Sequence, residues 1–212
     1  MNDLFGAGQG ERIELADADV RLFSAALTAE EADFAFRKLL EQTPWESREI
    51  VIFGSRRMQP RQMAWYGDTG ASYRYSGTRF DPLPWTGLLD TLRRRVETLG
   101  KASFNSVLLN LYRDGNDSMG WHSDDEPELG PEPLIASLSL GATRDFLLRS
   151  RRDTSAAKVR LPLGHGSLLL MAGQTQRNWQ HAINKVARVS GPRINLTFRT
   201  VSGRAAGTRN SG

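Results

Sequence analysis

Arg193-Ile194-Asn195-Leu196-Thr197-Phe198-Arg199 alternates polar and apolar residues along its whole length. Successive side chains of a strand point to opposite faces. Arg193, Asn195, Thr197 and Arg199 therefore share one face, and Ile194, Leu196 and Phe198 the other. An ordinary exposed strand can carry this pattern. Facing into a barrel, however, the polar row needs partners, and a dicarboxylate would satisfy both arginines. The stretch Ser106-Val107-Leu108-Leu109-Asn110-Leu111-Tyr112 repeats the arrangement, with Asn110 and Tyr112 on one face of an otherwise apolar run. Buried polar groups are normally paired, and one small polar molecule between the strands accounts for all of them.

Outward from these two runs, short apolar or alternating stretches recur at 134–140, 145–151, 158–163 and 166–171, separated by Gly, Pro and Asp clusters. Closely spaced strands without intervening helices predict a sandwich or barrel, not a parallel α/β sheet. The first half reads differently. Thr28 and Glu31 form a capping box ahead of Phe34, Phe36, Leu39 and Leu40, which predicts a helix ended by Pro44. A short strand is expected over Glu49–Phe53, followed by an irregular stretch, 54–82. A second helix is expected over Pro84–Thr98, with Leu88, Leu89, Leu92, Val96 and Leu99 on one side and Gly100 after its end. Gly-rich residues 1–12 predict a flexible arm, and 202–212 a flexible tail. The expectation is an α+β chain, helices first and a β-rich half after them.

The 212 residues suit one domain, and 39% hydrophobic content supports a real core. No apolar run has membrane-spanning length, and the first thirty residues hold no signal-peptide core. A soluble, cytoplasmic setting is expected. Cysteine is absent, which excludes disulfides, thiolate metal sites and Cys nucleophiles. Any metal must be held by carboxylates and the three His. The net charge is +4, and 24 of the 28 cationic residues are Arg. Arg suits bidentate phosphate or carboxylate contacts, although a general bias toward Arg explains the count equally well.

His122-Ser123-Asp124 places two ligand types at i and i+2, on one face of an extended chain. Two His and one carboxylate on one side of an ion, with open positions opposite, form the facial triad of non-haem Fe(II) oxygenases. An Asp-rich surface loop (Asp124, Asp125, Glu126) is the bland alternative. For the third ligand, His165 sits between Gly164 and Gly166, as a turn or packing residue would. His181, after Trp179 and ahead of the final strand, is favoured.

Taken together, Asn110-x-Tyr112, His122-x-Asp124, His181 and Arg193-x-Asn-Leu-Thr-Phe-Arg199 resemble the AlkB family of Fe(II)- and 2-oxoglutarate-dependent dioxygenases. The resemblance covers roughly residues 45–201. Pro60-Arg61-Gln62, Tyr66-Gly67-Asp68, Tyr73-x-Tyr75-Ser76-Gly77 and Asp124-Asp125-Glu126 are similar to its double-strand-DNA repair branch, the AlkB homologue 2 type.

The resemblance implies one domain over 13–201. It would have a double-stranded β-helix (jelly-roll) core at 106–201, N-terminal helices packed on it and a nucleotide-recognition lid at about 49–82. It implies that His122, Asp124 and His181 bind Fe(II), that Arg193 takes the distal carboxylate of 2-oxoglutarate, and that Asn110, Tyr112, Asn195, Thr197 and Arg199 complete the cage. Dioxygen is the other cosubstrate. The implied activity is oxidative demethylation of N1-methyladenine and N3-methylcytosine in DNA, releasing formaldehyde, succinate and carbon dioxide from a flipped base. Tyr73 and Tyr75 would flank that base, Glu126 would bond its amino group, and Trp65 would lie against it. Phe53 would wedge into the gap left in a duplex, with Arg61 near phosphates. As core residues, these aromatics would mean nothing of the kind. The implied protein is a monomer of bacterial type, working at the nucleoid without a membrane. Its rivals are the same chemistry on RNA or another methylated molecule, a non-catalytic binder of damaged DNA, and a cupin-like isomerase. Iron-dependent succinate formation separates the enzyme from the binder, and the isomerase gives no reason for the two-arginine strand.

Overall fold

The computed structural model describes residues 10–52, 55–71, 73–75, 78–189 and 191–202, with only the backbone at 48, 50–52, 55–57, 73–75 and 78–80. In chain order the elements are β1 (Glu11–Ile13), β2 (Asp19–Phe23), α1 (Ala29–Gln42), β3 (Glu46–Ile52), β4 (Ser55–Gly67), β5 (Tyr73–Tyr75), β6 (Thr78–Phe80) and α2 (Gly87–Gly100). Then follow β7 (Ser106–Tyr112), β8 (Met119–His122), a 3₁₀ turn (Pro127–Leu129), β9 (Ile135–Gly141), β10 (Arg144–Ser150) and β11 (Val159–Leu163). The chain ends through β12 (Ser167–Ala172), α3 (Thr175–Asn178), β13 (Trp179–Ile183) and β14 (Arg193–Arg199).

Eight strands form one sheet in the order β1-β2-β12-β9-β14-β7-β4-β3, four form a second in the order β11-β10-β13-β8, and β5 pairs with β6. The pairings between these strands are antiparallel. The core is therefore mostly antiparallel sheet with few helices, in the jelly-roll manner.

Each face of the larger sheet has its own task. Ile194, Leu196 and Phe198 of β14 lie with Val107, Leu109 and Leu111 of β7 and Ala136, Leu138 and Leu140 of β9 in one buried cluster. Ala32, Ala35 and Leu39 of α1 and Leu89, Leu92 and Val96 of α2 belong to the same cluster. The opposite face meets the smaller sheet. There Tyr112, Ile135, Leu169 and Met171 form a second cluster with Phe146, Leu148, Leu163, Trp179 and Ile183. Each buried Leu or Ile contributes about 1.5–3 kcal/mol, so both clusters weld their layers firmly.

Local rules explain the helix ends. Thr28 accepts from the Glu31 amide and Glu31 accepts from the Thr28 amide, the capping box expected. For α2 the cap is Thr86, which accepts from the Leu89 amide, so the helix starts three residues after Pro84 and runs to Gly100.

Several stretches depart from expectation, the pair β5–β6 within 54–82 among them. Residues 55–67, read as irregular, form the long strand β4, paired to β7 over Gln62–Gly67. Its inward positions include Gln59 and Arg61, so the usual apolar-in alternation is absent. β13, which is not among the strands expected from the sequence, pairs with β10 and β8. β1 begins at Glu11, inside the stretch read as a flexible arm, and pairs with β2.

Candidate active site

β7, β9 and β14 set the floor of the site by register. Asn195 lies opposite Asn110 on one side and Ser139 on the other, and Arg193 lies opposite Tyr112 and Gly141. A cavity of about 140 Å³ opens between the sheets, room for on the order of ten water positions and so far more than a packing defect. Its lining includes Asn110, Tyr112, His122, Asp124, Glu126, His181, Arg193, Asn195, Thr197 and Arg199.

At one end the polar row of β14 forms a hydrogen-bonded ladder. Arg193 Nη2 donates to Ser139 Oγ and Asn195 Oδ1, both at 2.9 Å. Ser137 Oγ also donates to Asn195 Oδ1, at 2.8 Å, and Asn195 Nδ2 donates to Thr197 Oγ1 at 2.7 Å. Arg193 is only 1% exposed. Its Nε and Nη1 meet no acceptor, and no carboxylate pairs with it among the described residues. The Tyr112 ring lies 5.3 Å from its guanidinium carbon. Burial pushes its pKa down to about 10, which still leaves it charged at neutral pH. A buried guanidinium with two unused donor nitrogens is the receptor for an anion.

Nearer the smaller sheet, His122, Asp124 and His181 bring their ligand atoms within 4.8 Å of one another. β8 and β13 place His122 directly opposite His181, with ring centroids 4.2 Å apart. Asp124 lies just beyond the end of β8. His122 Nδ1 is 2.9 Å from the Gly120 carbonyl. A carbonyl only accepts, so Nδ1 carries a proton, and Nε2 is the ring nitrogen turned toward Asp124, 3.9 Å from its Oδ1. Burial, reinforced by His122, pushes His181 down to about 3, so its ring is neutral. For Asp124, burial alone would raise the pKa, but Arg199 and then the two His outweigh it and the net direction is down. Arg199 Nη2 donates to Asp124 Oδ1 at 2.8 Å. Two imidazole nitrogens beside a carboxylate are a sound donor set for Fe(II).

The third wall is β4, where alternation turns Gln59, Arg61, Met63 and Trp65 into the cavity. Arg61, expected near phosphates, is 6% exposed, and its Nε donates to Asn110 Oδ1 at 2.7 Å. The side-chain period that brings Trp65 inward brings Arg61 with it. Glu126 lines the cavity just ahead of the 3₁₀ turn. Tyr73 and Tyr75 lie on β5, where only the backbone is described, and Phe53 lies outside the described residues. His165 is remote from the cluster: its Nδ1 accepts from the Gly141 amide at 2.8 Å, and its Nε2 lies 3.2 Å from Asp33.

The sequence reading missed Gln59, Ser137, Ser139 and Gln176. Ser137 and Ser139 carried a usable signal, since Ile135-Ala136-Ser137-Leu138-Ser139-Leu140 alternates as β14 does. Gln176 carried none.

Two antiparallel sheets enclosing a nitrogen–nitrogen–oxygen metal cluster beside an anion-seeking guanidinium define a mononuclear metalloenzyme with an acidic cosubstrate. Residues 19–199 match the 2OG-Fe(II) oxygenase superfamily, and the chain belongs to that family, whose cofactors are Fe(II), 2-oxoglutarate and dioxygen. Human alpha-ketoglutarate-dependent dioxygenase alkB homolog 3 is 44% identical over 190 residues, an alignment covering 86% of this chain and 66% of that protein. Mouse DNA oxidative demethylase ALKBH2 is 42% identical over 180 residues, covering 81% of this chain and 75% of that protein. The chain thus spans just under two thirds of the homolog 3 length, and both branches are similar to it at comparable identity. Among solved structures, that of OsALKBH1 superposes with a TM-score of 0.61 at 17% identity, covering 90% of this chain and 100% of that one. A 2OG-Fe(II) family oxidoreductase from Burkholderia pseudomallei gives 0.59 at 15%, with coverages of 88% and 89%. These two likenesses concern the fold. No described helix is long and apolar enough to cross a membrane.

Proposed function

We propose that the chain is an oxidative demethylase that removes N-methyl groups from N1-methyladenine and N3-methylcytosine in DNA. The observation that carries the oxygenase part is Arg193, buried with two donor nitrogens that meet no acceptor among the described residues, beside a cluster fit for iron. Support for the substrate comes from two directions. Relatives at 41–46% identity include proteins named DNA oxidative demethylases, and the cavity has a further polar wall that the cosubstrate cage leaves over.

In this reading His122, Asp124 and His181 hold the iron, and Arg199 keeps Asp124 ionised and oriented. Arg193 takes the distal carboxylate of 2-oxoglutarate, its fork steadied by Ser139 and Asn195. Asn110, Tyr112 and Thr197 complete the cage. Iron bound there, with 2-oxoglutarate and dioxygen, supplies the oxidation: the cosubstrate leaves as succinate and carbon dioxide, the methyl carbon as formaldehyde. The surrounding apolar side chains keep bulk water out.

The other wall receives the base. A duplex buries the methylated nitrogen, so the base must swing out of the stack. Gln59, Arg61 and Glu126 offer hydrogen-bonding groups to its edges, and Trp65 offers a flat apolar side. The segment around 49–82, which contains β4–β6, serves as the nucleotide-recognition lid, with Tyr73 and Tyr75 against the base. Phe53, between the paired ends of β3 and β4, is the wedge for a duplex.

The test is mass spectrometry of oligonucleotides carrying N1-methyladenine, single-stranded and duplex, with Fe(II) and with or without 2-oxoglutarate. Loss of one methylene mass, dependent on 2-oxoglutarate, is expected. Succinate formed without that loss rejects this substrate and makes methylated RNA the next probe. Phe53→Ala should lower duplex repair more than single-strand repair, and equal losses would make Phe53 a core residue.

A further inference from the structure

The short helix α3 has an unusual composition for a buried turn. Thr175, Gln176 and Asn178 are each at most 2% exposed, so each polar side chain must find a partner. Thr175 Oγ1 closes its own turn on the Ala172 carbonyl at 2.6 Å and accepts from the Asp19 amide. Asn178 Nδ2 donates to the Asp17 carbonyl at 2.9 Å. These two fasten the turn to the strands and to the segment before β2. Gln176 does something different. Its Oε1 accepts from the backbone amide of Asp124 at 2.9 Å, while its Nε2 makes only a long contact, 3.6 Å, to Met171 Sδ.

That bond joins the two pieces of chain that carry the metal ligands. Asp124 stands beyond β8, outside the ladder that fixes His122 opposite His181. Without a ladder its peptide has no strand to set its direction. Gln176 lies five positions before His181, on the turn that leads into β13. A second tie runs in parallel: Ser123 Oγ donates to the Trp179 carbonyl at 2.9 Å. Both tethers end on the same α3–β13 unit.

We propose that Gln176 is a positioning residue for the metal: its side-chain carbonyl holds the Asp124 peptide in place and so sets the carboxylate against His122 and His181. Arg199 orients the Asp124 side chain, whereas Gln176 anchors the backbone beneath it. Side chains that hold ligands in this way typically contribute a factor of 10–100 in metal affinity when lost. The role concerns the ligand set alone and does not depend on which methylated molecule the enzyme takes.

The experiment needs neither nucleic acid nor turnover. Mn(II) is titrated into metal-free protein and free Mn(II) is read by electron paramagnetic resonance, with thermal unfolding of the metal-free protein followed alongside. Gln176→Met keeps the volume and removes the acceptor, and Gln176→Glu restores an acceptor. Gln176→Met should bind Mn(II) about 10- to 100-fold more weakly, and Gln176→Glu should recover most of that loss. An affinity for Gln176→Met within twofold of wild type overturns the proposal. So does a loss that Gln176→Glu leaves wholly uncorrected. If Gln176→Met fails to fold, amide exchange of Asp124 in the wild-type metal-free protein decides: slow exchange supports the anchor, and exchange as fast as a free amide overturns it.

Discussion

Arg193 is a buried cation at the cavity wall, with two nitrogens that meet no acceptor among the described residues. Arg193→Ala should therefore act on cosubstrate binding first. Losing a buried charge-assisted pair costs about 2–5 kcal/mol, so the 2-oxoglutarate concentration for half-maximal succinate formation should rise about 30-fold or more. An unchanged requirement would move the carboxylate receptor elsewhere. Asp124→Ala removes the one carboxylate of the His122–Asp124–His181 cluster, and succinate formation should vanish even at high iron; normal turnover would exclude Asp124 as a metal ligand. Residues with distinct chemistry at strand spacing, such as His122, Asp124 and the β14 row, were legible from the sequence. Gln59 and Gln176 were not, because a lone glutamine carries no signal until folding shows what it faces. Arg61 was misplaced for a related reason: its chemistry was plain, but its direction depended on an unrecognised strand.

Among the elements, α1 gives the cleanest stability test. Thr28→Ala removes one half of a reciprocal capping box and should cost about 1 kcal/mol, lowering the melting temperature by roughly 2–4 °C for a chain of this size. The link between β7 and β8 offers a pH test. The Asp117 carboxylate accepts from the Arg113 amide, Nε and Nη2. Burial would raise its pKa, but these bonds outweigh burial and hold it below the usual range. A depressed carboxyl binds fewer protons folded than unfolded, so its contribution is present at neutral pH and lost on acidification. Asp117→Asn should be less stable than wild type at pH 7, and the gap should start to close as the pH falls through about 4 and go on closing down through the lowered folded pKa. A gap independent of pH would separate Asp117 from the ion pair. Elements whose pattern matched their burial were readable: the capping box fixed the start of α1, and apolar alternation located β7, β9, β10, β11, β12 and β14. β4 escaped because it turns Gln59 and Arg61 toward the interior, where they line the cavity, and β13 because five residues with His181 between Trp179 and Ile183 on the inner face are too short a pattern to read. Hydrophobic periodicity is blind to a strand whose inner face serves a ligand.

For the whole molecule, the cavity borrows walls from both sheets, so a ligand filling it should brace the sandwich. Binding to the folded state alone stabilises by about 2.7 kcal/mol at a hundredfold excess over Kd. Mn(II) with 2-oxoglutarate should accordingly raise the melting temperature by several degrees, and Mn(II) with succinate by less. No shift with either would mean that the cavity does not receive them. The layout also divides what is fixed from what is free to vary. β14 lies deep in the larger sheet, flanked by β9 and β7, with core on one face and the anion receptor on the other. A slip of one residue would exchange both faces at once, so selection for folding already polices the cosubstrate. β4 obeys the same rule over its pairing with β7, where Ala64 and Tyr66 join the core and Met63 and Trp65 face the cavity, whereas Gln59 lies ahead of that pairing, on the margin beside the edge strand β3. The cavity can thus be altered most freely at that margin, by side chains whose exchange leaves the core untouched.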